Sequence, residues 1–172
     1  GAKNDYFGRS VAVAGDTIFV GAYGDDDDGT NAGSVYVFRT TDGGATYDEV
    51  ETLKASSPKA GANFGNALAA DGDTLVIGAY SDNSYKGAVY VFRKSGSTYA
   101  QVARLTGSGV ASDDEFGTSV DVSGDTIVVG TEYTDAAFVY RTSDGGATWA
   151  AVTTLEGSDD FGRSVAIDGD TI

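Results

Sequence analysis

Short apolar runs separated by glycine-rich turns recur along the whole chain. In residues 17–22 (TIFVGA) and 34–39 (SVYVFR), apolar side chains fall on both sides of an extended chain, which is typical of strands covered on both faces. Residues 46–53 (TYDEVETL) carry charges and predict an exposed outer strand. No segment shows a convincing 3.6-residue period over eleven residues or more, as an amphipathic helix would. The pattern therefore predicts an all-β protein.

The first strand of each unit is predicted to begin at a Phe-Gly dipeptide and to alternate large with small residues. In the first unit, Phe7, Arg9, Val11 and Val13 share one face, and the small residues on the other face allow a neighbouring sheet to approach closely. A Gly-Asp pair follows, and glycine in the first central position favours a two-residue type II′ hairpin turn. The aspartates of these pairs are interpreted as turn residues: Asp16, Asp73, Asp125 and Asp170.

Internal repeats define the architecture. Phe-Gly occurs at residues 7–8, 64–65, 116–117 and 161–162, and each occurrence is followed by related segments in the same order. A repeated unit of four strands and about 40 to 57 residues is typical of a β-propeller blade. We predict a single repeat region over residues 1–172, built of four antiparallel strands per blade. The predicted blades are residues 4–61, 62–113 and 114–158, with the start of a fourth at 159–172.

The last segment repeats the first. Residues 159–172 match residues 5–18 at eleven of fourteen positions and end within the second strand of the unit. Because propellers close with about 4 to 8 blades, three blades and one further strand are expected to form an open arc of a larger propeller or array. The chain has no Met and no signal peptide, so we expect a processed product or a part of something longer.

Composition excludes several classes of partner and site. The chain has 11 basic and 26 acidic residues and a net charge of −15, so phosphate backbones repel it and a nucleic-acid partner is excluded. No segment approaches the roughly 20 apolar residues needed for a membrane span. The absence of Cys excludes disulfides and thiolate metal sites, and the absence of His removes the commonest general base.

These repeats resemble a known family. The segment "FGRSVAVAGDTIFVGA", followed by "GSVYVF", is similar to the FG-GAP repeat, the blade unit of the integrin α propeller and of many secreted microbial and algal proteins. The resemblance implies a non-catalytic structural or adhesive module located outside the cell or on its surface. Its implied partners are protein or glycan ligands, and other copies or further blades of the same array.

A second resemblance lies between the third and fourth strands. Residues 142–149 (TSDGGATW) and 40–47 (TTDGGATY) resemble the Asp box of sialidase-type propellers, which implies the alternative of a sialidase-like glycoside hydrolase fragment. Such an enzyme needs three arginines for the substrate carboxylate, and Arg39, Arg93 and Arg141 do recur. They occupy one repeat position beside the Asp-box turn, however, so we interpret them as strand-ending residues and predict no catalytic activity.

Calcium is the one cofactor to consider. Integrin-like repeats often bind Ca²⁺ in a loop between the first two strands, but the two-residue turns of this chain cannot supply six to eight oxygen ligands. The loop at residues 23–34 (YGDDDDGTNAGS) is the remaining candidate, because Asp25, Asp26, Asp27, Asp28 and Asn31 cluster oxygen ligands there. The alternative is a solvated acidic loop, which we favour because the equivalent loops lack the cluster.

Tyrosines in or beside loops are the better candidates for contacts with a ligand. Aromatic residues inside the strands are expected to belong to the core. The loop tyrosines offer an apolar ring with a polar tip: Tyr23, Tyr80, Tyr85 and Tyr133.

Overall fold

The computed structural model describes residues 3–172, which form three separate sheets of four antiparallel strands. Blade 1 contains β1 (Val11–Ala14), β2 (Thr17–Ala22), β3 (Ser34–Arg39) and β4 (Asp48–Leu53). Blade 2 contains β5 (Leu68–Asp71), β6 (Thr74–Ala79), the helical turn α1 (Asp82–Tyr85), β7 (Ala88–Ser95) and β8 (Thr98–Leu105). Blade 3 contains β9 (Ser119–Ser123), β10 (Thr126–Gly130), β11 (Ala136–Arg141) and β12 (Ala150–Glu156). The predicted all-β fold with propeller-type blades is confirmed.

The strands of each blade follow chain order across the sheet, from the inner edge to the outer edge. The first strands lie beside one another, β1 next to β5 and β5 next to β9, so the N-terminal strand of each blade is innermost. The outermost strands β4 and β12 are largely exposed, as the charged sequence of β4 predicted. The described part of the chain holds no helix with the length and apolar character that a bilayer crossing requires.

The first strands are shorter than the alternating pattern predicted. Residues 7–10 form a turn in which Gly8 has φ +88° and the Arg9 amide donates to the Tyr6 carbonyl at 3.1 Å. The strand begins only at Val11. The prediction that Phe7 and Arg9 continue the strand was wrong, because the left-handed glycine turns the backbone before the ladder starts.

The Gly-Asp hairpins have the predicted two-residue loops. Ala14 pairs with Thr17 across Gly15, which has φ +58°, while Asp16 is not among the residues with positive φ. The corresponding glycines of the later units, Gly72, Gly124 and Gly169, have φ between +54° and +59°. A positive φ at the first position alone is the signature of the type II′ turn.

The hydrophobic core lies between blades. One cluster joins Phe19 and Val37 of blade 1 to Phe64 and Leu75 of blade 2, and a second joins blades 2 and 3. Phe64 is 1% exposed and packs edge-on against Tyr90, with ring centroids 5.4 Å apart. The Phe of each internal Phe-Gly pair is therefore an inter-blade core residue.

A glycine in the second strand sets the spacing between blades. A Cβ placed on Gly21 would overlap the carbonyl oxygen of Gly65 in the next blade, and a Cβ on Gly78 would overlap that of Gly117. The Ser10 hydroxyl donates to the same Gly65 carbonyl at 2.6 Å. Backbones of adjacent blades thus touch at a position where no side chain fits.

Residues 159–172 occupy the place of a fourth first strand on blade 3. The Ser119 hydroxyl donates to the Gly162 carbonyl at 2.9 Å, as Ser10 does to Gly65 one junction earlier. The Ile167 amide also donates to the Asp121 carboxylate at 2.7 Å. Within this segment the only bridge joins Asp168 to Thr171. The segment therefore lies where a first strand would lie but forms no β-ladder with a neighbouring strand.

Candidate functional site

The loop between β2 and β3 of blade 1 directs its acidic side chains to different partners. Asp25 is buried, and its carboxylate accepts the Tyr36 hydroxyl at 2.8 Å and the Asp27 amide at 3.0 Å. Asp26 accepts the amide of Asn31 at 2.7 Å. The Asp25 carboxylate thus holds the loop on strand β3, and the Asp26 carboxylate closes the loop on itself.

The other two carboxylates of this loop contact a lysine. Asp28 lies 2.6 Å and Asp27 3.8 Å from the Lys54 ammonium group, and the hydrogen bond to Asp28 raises the pKa of Lys54. Among residues 3–172, no group of three or more acidic side chains is arranged to share one metal ion. The calcium site stays a prediction from the sequence.

The equivalent loop of blade 2 contains a fully buried carboxylate. Asp82 accepts hydrogen bonds from Lys59 at 2.8 Å, Arg104 at 2.7 Å and the Tyr90 hydroxyl at 2.8 Å. Burial by itself raises the pKa of Asp82, but the bonds from these three donors outweigh it and lower the pKa. The carboxylate stays ionised because two cations and a hydroxyl replace its water.

Asp82 is followed by a strained turn. Asn83, Ser84 and Tyr85 have φ of 57°, 61° and 58° in sequence, a left-handed region that costs such residues about 1–2 kcal/mol each. The Gly87 amide donates to the Asp82 carbonyl at 2.9 Å, and the Tyr85 carbonyl accepts the Glu115 amide at 2.8 Å. The turn carries Tyr85 to the boundary between blades 2 and 3.

A cleft of about 400 Å³ lies along the edge of the blades at which these loops emerge. All three blades contribute to it. Its lining residues are Arg9, Tyr23, Asn66, Tyr80, Tyr85, Glu115, Thr118 and Glu132. Since Arg9, Asn66 and Thr118 each follow a Phe-Gly pair, the repeat itself brings one polar side chain per blade to the cleft.

Three of the four predicted ligand-binding tyrosines line this cleft. The ring of Tyr23 stacks on Tyr6 with centroids 4.8 Å apart and planes 5° apart, and burial raises the pKa of Tyr23. Tyr80 and Tyr85 lie 6.3 Å apart at a tilt of 49°. Tyr133 is 68% exposed and does not line the cleft.

Asn66 and Glu115 of the cleft are fixed or perturbed by neighbouring groups of blades 2 and 3. The Asn66 side-chain amide donates to the Gly117 carbonyl at 3.3 Å, and its oxygen accepts the Tyr80 amide at 3.3 Å. Burial raises the pKa of Glu115, with further contributions from the negative charges of Glu132 and Asp113. These groups were not singled out from the sequence, because their proximity depends on how the blades stack.

The recurring arginines lie at the opposite ends of the strands. The side chain of Arg39 donates to the Ser97 carbonyl of blade 2 at 3.1 Å, and Arg93 donates to Thr74 at 2.7 Å. None of the three arginines lines the cleft. Arg39 thus joins neighbouring blades, and no arginine triad forms in the cleft.

The Asp-box sequences form two matching hairpin turns between the third and fourth strands. The Asp144 carboxylate accepts the Thr148 amide at 2.9 Å, the Thr148 hydroxyl at 2.6 Å and the Thr142 hydroxyl at 2.7 Å. Asp42 repeats this pattern with Thr46 and Thr40. The bonds from Thr148 and Thr142 hold the pKa of Asp144 well below its usual range.

A solved structure with a similar arrangement is a Bacteroides fragilis protein named as a candidate 6-phosphogluconolactonase, with a TM-score of 0.61 and 16% sequence identity. The match covers 87% of this chain and 38% of that one, so the chain spans well under half of its structural relative. At this identity the likeness shows the fold alone. No curated protein matches the chain by sequence.

A family model described as the FG-GAP repeat matches the chain three times. The matches cover residues 1–38, 47–92 and 99–149. They include the Phe-Gly turns and the inter-blade glycines described above. The chain therefore belongs to the FG-GAP repeat family.

Proposed function

We propose that this chain is a non-catalytic binding module of an extracellular or cell-surface protein, and that its cleft holds a carbohydrate. The observation that carries the proposal is the lining of the cleft, in which Tyr23, Tyr80 and Tyr85 share one space with carboxylate, amide and guanidinium groups. A tyrosine offers an apolar face and a hydrogen-bonding tip. A sugar ring needs both, because it has apolar C–H faces and polar edges.

The charge of the chain favours a neutral sugar over an acidic one. The net charge is −15, and two of the cleft's lining residues are Glu115 and Glu132. A polyanionic glycan would be repelled by this field, since Arg9 is the only basic residue that lines the cleft among residues 3–172. The cleft therefore suits neutral oligosaccharides whose hydroxyl groups can donate to the two carboxylates.

Binding to a panel of oligosaccharides by calorimetry tests the proposal. We expect affinity for neutral oligosaccharides, and a loss of at least tenfold in the Tyr80→Ala variant. Tyr133→Ala is the matched control, since Tyr133 is exposed outside the cleft, and it should bind normally. Equal affinity of both variants, or no binding of any sugar, would overturn the assignment of the cleft.

A glycoside hydrolase is the second candidate, favoured by one observation. Glu115 and Glu132 line the same cleft, and the pKa of Glu115 is raised mainly by burial, whereas Glu132 forms an ion pair with Arg163 at 3.1 Å. Two carboxyl groups in different environments, one of them with a raised pKa, are the pairing that glycoside hydrolysis uses. Turnover of fluorogenic glycosides that disappears in Glu115→Gln would establish the hydrolase; we expect no turnover.

A further inference from the structure

A second cavity, of about 220 Å³, adjoins the strained turn of blade 2. The turn contributes Asn83 and Lys86 to its lining, and the end of β8 with the residue after it contributes Arg104 and Thr106. Among residues 3–172 this cavity shares no lining residue with the cleft, to which the same turn contributes Tyr85. The two spaces are therefore separate, and a ligand in this cavity does not depend on the sugar proposed for the cleft.

The lining of the cavity is basic in an acidic protein. Within residues 3–172 its two ionisable lining residues are Lys86 and Arg104, whereas the chain as a whole has 26 acidic and 11 basic residues. Lys86 is exposed and forms no ion pair in this part of the chain. Asn83 and Thr106 add an amide group and a hydroxyl group that can donate hydrogen bonds. Positive charge together with neutral donors is the lining that an anion requires.

The guanidinium group of Arg104 is held in place without any ligand. Its Nη2 donates to the Asp82 carboxylate at 2.7 Å, and its Nε donates to the Tyr90 hydroxyl at 3.3 Å. The group also lies 5.7 Å from the centroid of the Tyr90 ring. Its Nη1 has no hydrogen-bond partner within the described residues, and the side chain is 35% exposed. Because the side chain is already ordered, binding an anion at Nη1 costs little conformational entropy.

The buried carboxylate of blade 2 does not by itself account for these cations. Thr52 of blade 1 occupies the position of Arg104, since each pairs with the tyrosine of the preceding strand. The buried Asp25 of blade 1 accepts hydrogen bonds only from neutral groups. Ala32 occupies the position of Lys86, directly before the glycine that precedes the third strand. The two cations are therefore a feature of blade 2 that the blade fold does not require.

The charge beside the cavity is positive although the net charge of the chain is −15. Lys59 and Arg104 contact the carboxylate of Asp82 at 2.8 Å and 2.7 Å. With Lys86, three cations stand against one carboxylate, which leaves two positive charges. Charges more than about 10 Å away are largely screened at 0.1 M salt, so the nearby cations dominate the potential that a small anion meets in the cavity.

We propose that this cavity binds a phosphate or sulfate group, with the Lys86 ammonium group and the Arg104 Nη1 as its charged ligands. Such a group carries up to about two negative charges at neutral pH, which match the two positive charges better than a carboxylate does. A water molecule takes about 30 Å³ of liquid, so a cavity of about 220 Å³ has room for a tetrahedral ion and several waters. The group can enter as a free ion or as the end of a larger molecule.

Calorimetric titration with sodium phosphate and sodium sulfate at constant ionic strength tests the proposal. We expect saturable binding of both ions, weaker binding of acetate, and a loss of affinity of at least about fivefold in Lys86→Ala. Lys86→Arg should keep most of the affinity. Lys94→Ala is the matched control, because it removes the same charge near the other end of β7, and it should bind normally. No saturable binding, or equal losses in the two alanine variants, would overturn the proposal.

Backbone amide signals in NMR locate the bound ion. On addition of phosphate we expect the largest shifts in residues 83–87 and 104–110, which contain the lining of the cavity. Shifts centred elsewhere would contradict the assignment even if calorimetry detects binding. Glucose 6-phosphate distinguishes the two sources of the group. Tighter binding than inorganic phosphate would indicate a larger phosphorylated molecule, and equal affinity would indicate the free ion.

Discussion

The Tyr90 hydroxyl donates a 2.8 Å hydrogen bond to the buried carboxylate of Asp82, which ties the loop after the second strand to the third strand. Blade 1 repeats the relationship at 2.8 Å with Tyr36 and Asp25. In blade 3 the Tyr position is taken by Phe138, so the hydroxyl is lost, and the loop carries no aspartate at the matching position. Blade 3 thus lacks both the tyrosine donor and the aspartate acceptor. Either group without the other would be a buried polar group with no hydrogen-bond partner.

Asp82→Asn should destabilise the protein more than Asp25→Asn does. Removing the Asp82 charge leaves Lys59 and Arg104 without their buried partner, for which we expect a loss of about 2–4 kcal/mol in the free energy of unfolding. Asp25 accepts bonds only from neutral groups, Tyr36 and the Asp27 amide, so its loss should be about 1 kcal/mol. Urea denaturation compares the variants. Equal losses would mean that the two cations contribute nothing.

The same variant should change the acid sensitivity of the protein. The pKa of Asp82 is lower in the folded state than its value of about 3.9 in an unfolded chain. The stabilisation is therefore complete above that value and is lost as the pH falls through the folded-state pKa. Asp82→Asn should accordingly lose less stability than the wild type between pH 5 and pH 2. Parallel curves of stability against pH would contradict the assigned shift.

The Asp-box carboxylates should become protonated at a lower pH than exposed aspartates do. Hydrogen bonds from threonine hydroxyl and amide groups hold the pKa values of Asp42 and Asp144 well below the usual range. We expect their side-chain carbon signals in NMR to remain those of the ionised form at pH 3, where exposed aspartates are mostly protonated. Thr148→Val should return Asp144 towards normal titration and leave Asp42 unchanged. A normal titration of both groups would refute this account.

Gly78→Ala should disrupt the contact between blades 2 and 3. The added Cβ would overlap the Gly117 carbonyl, which is backbone and cannot move aside alone, so we expect a loss of about 3 kcal/mol or more. Gly43→Ala is the comparison. It has open space around its Cβ position but φ +74°, for which a loss of about 1–2 kcal/mol is expected. Thermal unfolding measures both. A smaller effect at Gly78 would show that the blades are not in close contact there.

Calcium should stabilise the protein no more than an equal ionic strength of NaCl. Any salt stabilises a protein with a net charge of −15, because screening weakens the repulsion between its negative charges. The loop carboxylates already contact Lys54, Tyr36 and backbone amides, so we expect no additional stabilisation from Ca²⁺. Melting temperatures in NaCl, MgCl₂ and CaCl₂ at matched ionic strength give the comparison. An excess with Ca²⁺ that disappears in the Asp26→Asn, Asp28→Asn double variant would instead establish the predicted site.

The sequence by itself determined the blades. Apolar runs with residues on both faces specified the inner strands, and each Gly-Asp pair specified a hairpin, because glycine is the residue that adopts positive φ without strain. The recurrence of these local signals at Phe7, Phe64 and Phe116 gave the number of blades. These features depend on contacts between residues near each other in the chain, which a sequence displays directly.

The tertiary structure decided how the blades meet and what they bring together. Arg9, Tyr80 and Glu132 line one cleft although they are far apart in the chain. Asp82 contacts Lys59 and Arg104, which lie 23 and 22 residues away from it in the sequence. Such groupings depend on the angle and spacing at which sheets stack. That geometry arises from the close contact of Gly21 with Gly65 and of Gly78 with Gly117, and no single stretch of sequence contains both partners.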